Sequence, residues 1–298
     1  MSRGKIAVFG VPSAAGASRP GTERAPFALR EAGLLPALRA LGAPVVNLSD
    51  LSLFPYRDDT GRERNAEVVA CAARAAADEM GRALAEGFTV VLGGDCSLVV
   101  GTVAGARAAL GQPVGLVYLD ANADLNTPET SPSGLLSGMA LSLALGRGPQ
   151  AVVSAGGEPP AVRPEHVALV GFRQLDPGEQ HPLGDLGLAL PASAARRLGM
   201  RSAAALALDG VSNEDGPILV HLDVDVVDPL EMPAKGILTE GSALSLAEVS
   251  DLVTAFVASP RVVAIEVMEY DPSADPDGVH ARKVVDLISR ALARRLRA

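Results

Sequence analysis

Chemistry-bearing residues gather just after short apolar runs. Gly93-Gly94-Asp95-Cys96-Ser97 follows residues 88–92, and Asp120-Ala121-Asn122-Ala123-Asp124 follows residues 114–119. The run at 166–170 leads into Gly171-Phe172-Arg173-Gln174-Leu175-Asp176-Pro177-Gly178-Glu179. Residues 217–222 lead into Asp223-Val224-Asp225 and Asp228-Pro229, and 261–268 into Glu269-Tyr270-Asp271-Pro272. Carboxylates brought together repel one another unless a cation sits among them. A metal is the simplest such cation. Asp-x-Asp in an extended segment places both side chains on one side. Asp223 with Asp225, and Asp120 with Asp124 around Asn122, can therefore reach one centre. Four carboxylates match the charge of two divalent ions. Hard oxygen ligands suit Mn²⁺ or Mg²⁺, and Cys96 adds a softer ligand that favours a transition metal. Water between two such ions is a ready nucleophile. Taken singly, an Asp-x-Asp is more often a turn or a cap, and Asp176-Pro177-Gly178 is an ordinary turn signal. The conjunction raises the odds.

The elements that would position these residues follow from periodicity. Residues 5–9, 44–48, 88–92, 114–119, 166–170, 217–222 and 261–268 read as strands, most of them continuous apolar runs. Such runs suit strands covered on both faces. Helical stretches lie between them at 23–41, with Thr22 as a cap, and at 65–86, 97–110, 244–258 and 279–297. Strand–helix alternation implies a mostly parallel sheet with right-handed crossovers. In such a sheet ligands bind outside the carboxyl ends of the strands, where the acid-rich segments converge. The Gly/Pro-rich stretch 146–164 reads as a loop rather than a boundary, so a single domain over 1–298 is expected.

Composition narrows the function classes. The chain has 298 residues and a net charge of −9, which opposes binding driven by phosphate neutralisation or by an anionic membrane surface. Apolar residues make up 48%, so disorder is excluded; aromatics are 3% with no Trp, which argues against base-stacking and carbohydrate-binding surfaces. Cys71 and Cys96 make no disulfide framework. Cys71, in an Ala-rich helix, reads as a small buried hydrophobe. The basic residues near the end of the last helix suit a helix C-terminus. No secretory signal or membrane span is visible, so a cytoplasmic protein is expected. Nothing in the sequence identifies a subunit interface.

Taken in order and spacing, GGDCS, DANADLNTPETSPSG, GFRQLDPGE, DVDVVDP and MEYDP resemble the arginase/agmatinase (ureohydrolase) family. The stretch GVPSAAGASRPGTERAPFALREAGL is similar to that family's opening. The resemblance implies a three-layer α/β/α fold with a mostly parallel eight-stranded sheet, a centre of two Mn²⁺ per chain, and hydrolysis of a guanidino carbon to release a urea. By position, the more buried ion would take Cys96, Asp120, Asp124 and Asp223. The other would take Asp120, Asn122, Asp223 and Asp225, with Asp120 and Asp223 bridging. Asp124, Glu269 and Ser137 fall at catalytic positions, Glu269 as the partner of the substrate guanidinium. Asn126, Ser131 and Ser133 match groups that hold an α-carboxylate, and Asp176 and Glu179 match an acidic pair that receives an α-amino group. This set favours an L-arginine-like amino acid over agmatine.

The chain departs from the family pattern at four positions. Cys96 and Asn122 stand where the family has His, Ser137 where it has a proton-shuttling His, and Ile237 where it has Thr. The chain's own histidines, His166, His181, His221 and His280, match none of these positions. Cys96 can still ligate as a thiolate, whereas Ser137 cannot act as an acid near neutral pH. An Nω-hydroxyguanidine is less basic than arginine and needs less proton assistance. The pattern is thus similar to the branch that converts Nω-hydroxy-L-arginine to hydroxyurea and L-ornithine in antibiotic (D-cycloserine) biosynthesis. The other readings are an ordinary arginase, another guanidino-acid hydrolase, or a metal-poor, non-catalytic arginine-binding relative.

Overall fold

A computed structural model describes residues 4–211, 216–233 and 243–297; Ile237 lies outside them. Eight strands form one sheet in which every neighbouring pair is parallel: β1 (Ile6–Gly10), β2 (Val45–Asn47), β3 (Phe88–Leu92), β4 (Gly115–Leu119), β5 (Val167–Val170), β6 (Leu188–Leu190), β7 (Ile218–Asp223) and β8 (Val262–Met268). Their order is β2-β1-β3-β8-β7-β4-β5-β6. The four strands that carry the first, second, fourth and fifth acid-rich segments, β3, β8, β7 and β4, are adjacent at the centre of the sheet.

Each sheet face is closed by its own apolar layer. Phe9, Val91, Leu116, Leu169, Leu219 and Ala264 pack with the helices Ala66–Glu86 and Val99–Leu110. Val8, Val90, Leu119, Val220, Ile265 and Val267 pack with the helices Leu246–Ala258 and Val279–Leu296. Strand residues alternate between the layers, as the two-residue period of a strand requires. The result is the three-layer α/β arrangement expected from the sequence. Helices Ala66–Glu86 and Val99–Leu110 approach closely enough that a Cβ at Gly101 would stand 2.1 Å from the Ala73 carbonyl oxygen.

Several sequence expectations need correction. The helix expected over 23–41 is a 3-10 turn, Thr22–Arg24, followed by two short helices, Ala25–Glu31 and Leu34–Arg39. Gly33 separates the two with φ 97°, which a helix cannot continue through. Thr22 caps neither; it lies buried inside the 3-10 turn. Strand β6 and helices Ala192–Leu198 and Met200–Gly210 were not foreseen. Cys71 is exposed rather than buried. Helix Ala66–Glu86 turns Val69, Ala72, Ala73 and Ala76 to the core and leaves Cys71 on the opposite face.

Candidate metal centre

Each acidic side chain is delivered by the end of a central strand. After β3 the chain turns sharply at Gly93-Gly94, where a Cβ on Gly94 would collide with the Ser13 carbonyl at 1.6 Å. Only glycine allows that approach. Asp95 then caps a short 3-10 turn by accepting from the Ser97 backbone N–H, which sets Cys96 against the sheet edge. At the end of β7, Asp223 accepts from the Asp225 N–H at 2.7 Å and starts the 3-10 turn Val224–Val226. Asp223 and Asp225 are therefore gathered by a cap and a turn, not by the extended alternation expected from Asp-x-Asp. After β4, Asp120 accepts from the Asn122 N–H at 2.6 Å.

The structure brings together two donor groups at this edge. Cys96, Asp120 and His221 each offer an atom within 4.8 Å of the others, and so do Asp120, Asp223 and Asp225. Asp120 is fully buried, and its Oδ2 has no hydrogen-bond partner among the described residues. Cys96 Sγ lies 3.2 Å from Asp223 Oδ2. Burial first, then the charges of neighbouring acids, pushes the carboxyls of Asp120 and Asp223 well above the ordinary range. Burial does the same for Asp124, where the Tyr118 hydroxyl, donating at 2.6 Å, opposes the shift. Burial also raises Asp225, against the Ala121 N–H and the nearby Arg173. The Cys96 thiol is pushed up by burial and then by Asp223 and Glu269. A site that raises four carboxyls and a thiol together is built for cations it would otherwise lack. The orphaned Asp120 oxygen and the mixture of carboxylate, thiol and imidazole donors fit divalent metal ions.

The remaining sequence-assigned residues take distinct places. Asp124 adopts φ 52° and Glu269 φ 61°, left-handed conformations that non-glycine residues hold only when the surroundings impose them. Asp124 is a repelling charge on Asp120, but its Oδ2 is engaged by Tyr118. Glu269 Oε1 accepts from the Cys96 N–H at 3.2 Å, joining the ends of β3 and β8. Asn122 is exposed and donates its amide Nδ2 to Asp225 Oδ2 at 3.0 Å. Ser137 is half-buried, and its N–H donates to Gly16, whose own N–H donates to Asp95 Oδ2. That chain ties Ser137 to the end of β3.

The loop residues form a second group. Asn126 donates one amide N–H to Asp176 Oδ2 at 2.9 Å and accepts from Thr130 at 3.0 Å. Glu179 is buried, and its two oxygens accept the N–H groups of Leu125 and Asp176 at 2.9 and 2.8 Å. It therefore clamps the loops after β4 and β5 together, while Asp176 is exposed. Ser131 Oγ and Ser133 Oγ lie 3.5 Å apart and accept from Gly134 and Leu135.

Sequence reasoning set aside His221 and did not single out Tyr118, Glu266 or Arg173. Tyr118, His221 and Glu266 are register partners across β4, β7 and β8. Arg173 donates to the Asp225 carbonyl at 2.8 Å. The available signal for His221 was its alternation with Asp223, which puts both on one face of β7.

The arginase family model matches residues 4–293. The chain belongs to the arginase family. It is 32% identical over 298 residues to the arginase of Bacillus caldovelox, covering 98% of this chain and 99% of that one. The crystal structure of arginase from Bacillus cereus superposes with a TM-score of 0.87 at 31% identity, covering 96% of this chain and 98% of the other. Entamoeba histolytica arginase in complex with L-ornithine superposes with a TM-score of 0.87 at 26% identity, covering 98% of both. Family membership makes the chain a hydrolase of the guanidino-group class, and the arginase-like fold is shared throughout.

Proposed function

We propose that this chain hydrolyses the guanidino group of an L-arginine-like amino acid in a manganese-dependent reaction, with Nω-hydroxy-L-arginine preferred over L-arginine. The products would be hydroxyurea and L-ornithine. The carrying observation is the combination of an acid-rich, partner-deficient sheet edge with a hydroxyl, not an imidazole, at position 137. The binding of L-ornithine by the Entamoeba relative is consistent with an amino-acid substrate in this fold.

Cys96, Asp120, Asp124, Asp223 and Asp225, with Asn122 at the rim, would hold two Mn²⁺. The ions would supply Lewis acidity and lower the pKa of water. The chain's own residues do the rest. Glu269, fixed by the Cys96 N–H, pairs with the guanidino nitrogens and holds the reacting carbon in place. Asp176 receives the α-amino group, and Glu179 keeps the Asp176 loop in position through its backbone bonds. Asn126, Ser131 and Ser133 surround the α-carboxylate. Ser137 cannot deliver a proton to the leaving amine near neutral pH. A substrate of lower basicity suffers less from that absence.

The test is an assay of urea against hydroxyurea release from L-arginine and Nω-hydroxy-L-arginine, with Mn²⁺ added. The hydroxylated substrate is expected to lead by about 10²–10⁴-fold in kcat/KM, the size of a missing general acid. Ser137→His is expected to narrow that lead by raising the arginine rate more. Equal rates on the two substrates overturn the hydroxyarginine reading and favour an ordinary arginase. Agmatine turned over as fast as the amino acid overturns the role of Asp176.

A further inference from the structure

His221 sits at the base of the centre in an unusual set of contacts. It is fully buried and stacked on Tyr118, with ring centroids 4.2 Å apart and planes within 3°. Its Nδ1 lies 2.7 Å from Glu266 Oε1, and its Nε2 lies 3.2 Å from Cys96 Sγ. Tyr118, His221 and Glu266 stand side by side in register on three adjacent strands, on the sheet face that carries Leu116, Leu219 and Ala264. An apolar interior that accepts a glutamate and a histidine needs a reason.

The hydrogen-bond count supplies it. Nδ1 donating to Glu266 leaves Nε2 with a bare lone pair. Cys96 has one S–H at most, yet it faces both Nε2 and Asp223 Oδ2 at 3.2 Å. Asp120 Oδ2, in the same group, has no donor among the described residues. With these carboxyls ionised and the ring neutral, acceptors outnumber protons around one buried point. A carboxylate on the far nitrogen of a histidine is the arrangement that orients an imidazole toward a metal. Glu266 is fully buried, with Oε1 on His221 and Oε2 without a partner among the described residues.

We infer that His221 is a metal ligand, its Nε2 joining Cys96 Sγ and Asp120 in the inner half of the centre, with Glu266 as its orienting carboxylate. The family pattern has an imidazole at position 96; in this chain β7 supplies one from beneath, and the smaller Cys96 leaves room for it. The two halves then differ in chemistry. Sulfur, imidazole and carboxylate donors let the inner half take a borderline ion such as Co²⁺ as well as Mn²⁺, whereas Asp120, Asp223 and Asp225 offer oxygen alone and suit Mn²⁺. This inference rests on the acid-rich edge being a metal centre, not on the choice of substrate.

The experiment titrates the metal-stripped full chain with Co²⁺ and reads the absorption spectrum. The wild-type chain is expected to show a sulfur-to-cobalt charge-transfer band and ligand-field bands of low coordination number. His221→Gln is expected to change the ligand-field bands and weaken the inner ion at least about tenfold, and Glu266→Gln by about 10–100-fold. Mn²⁺ binding at the oxygen half, followed by electron paramagnetic resonance, should survive both substitutions. X-ray absorption of the cobalt-loaded wild-type chain gives a reading independent of variant folding. Sulfur and imidazole scattering are both expected there, and the lack of either overturns the inference. An unchanged spectrum and affinity in His221→Gln also overturn it while leaving the metal centre standing. No ion bound by the wild-type chain overturns both. Rapid alkylation of Cys96 in the metal-loaded chain, with turnover unaffected by chelators, would instead make Cys96, His221 and Glu266 a nucleophilic set.

Discussion

Asp120 and Asp223 at the sheet edge and Glu248 at the start of helix Leu246–Ala258 are all carboxylates held by backbone N–H groups, yet their protonation is driven in opposite directions. Glu248 accepts from Arg196 Nε and Nη2, both at 2.8 Å, and from the Ser245 N–H at 2.8 Å. The Arg196 guanidinium holds its carboxyl down at about 2. At the sheet edge burial and neighbouring acids raise the carboxyls of Asp120 and Asp223 instead, with no side-chain cation among the described residues to offset them. Glu248 completes a capping box with Ser245 and secures a helix. The sheet edge costs stability as it stands, which marks it as the place where the fold serves function. Glu179 lies between these cases. Burial raises its carboxyl, and the N–H groups of Asp176 and Leu125 oppose the rise.

The largest effect that would break this contrast is at Asp223. Asp223→Ala is expected to release both ions and abolish turnover, read as metal content by mass spectrometry alongside the assay. Asp225→Ala should release mainly one ion. Full metal content in Asp223→Ala would remove Asp223 from the shared position. Next comes Glu179→Gln, which weakens two charge-assisted backbone bonds in a buried setting. A loss of about 1.5–3 kcal/mol is expected in urea unfolding, with metal content retained. Ser245→Ala should cost about 1 kcal/mol, as an N-cap loss does, without touching metal or activity.

The smallest effect is the pH response of Glu248. Its folded pKa lies below the unfolded value of about 4.3, so its contribution is present above that pH. The contribution is lost as the pH falls toward about 2. Glu248 is half-buried and its partner Arg196 more exposed, so solvent screening should keep the change slight and salt should reduce it further. A comparison of acid unfolding in wild type and Glu248→Gln checks it.

How much was legible in the sequence follows from which physical signals are local. Seven strands announced themselves as apolar runs, and their polar successors located the site. Strand β6, three residues long and half-buried at the edge, has too little pattern to show. Gly33 broke a helix whose composition looked continuous, because one left-handed residue outweighs propensity on either side. Cys71 was misplaced because its residue type was read without its helical phase, which sets it opposite the core face of Val69, Ala72, Ala73 and Ala76. The carboxylates at 120, 124, 223 and 225 were visible as a group through their positions after strands. His221 was not, because position-by-position matching ignores a partner that reaches the same point from the neighbouring register. Tyr118 and Glu266 were hidden for the same reason: only the sheet order makes β4, β7 and β8 adjacent.

The central claim is that metal ions hold the acid-rich sheet edge together, and the melting temperature of the metal-stripped chain tests it most directly. Carboxyls whose folded pKa is raised contribute stability below their unfolded value and lose it as pH rises through the folded one. Between about pH 5 and about pH 8 the metal-stripped chain is therefore expected to lose thermal stability. Added Mn²⁺ should restore it, with a larger gain at the higher pH, because bound ions stabilise only the folded form. A melting temperature that stays flat across this range and does not respond to Mn²⁺, Zn²⁺ or Co²⁺ would contradict the claim.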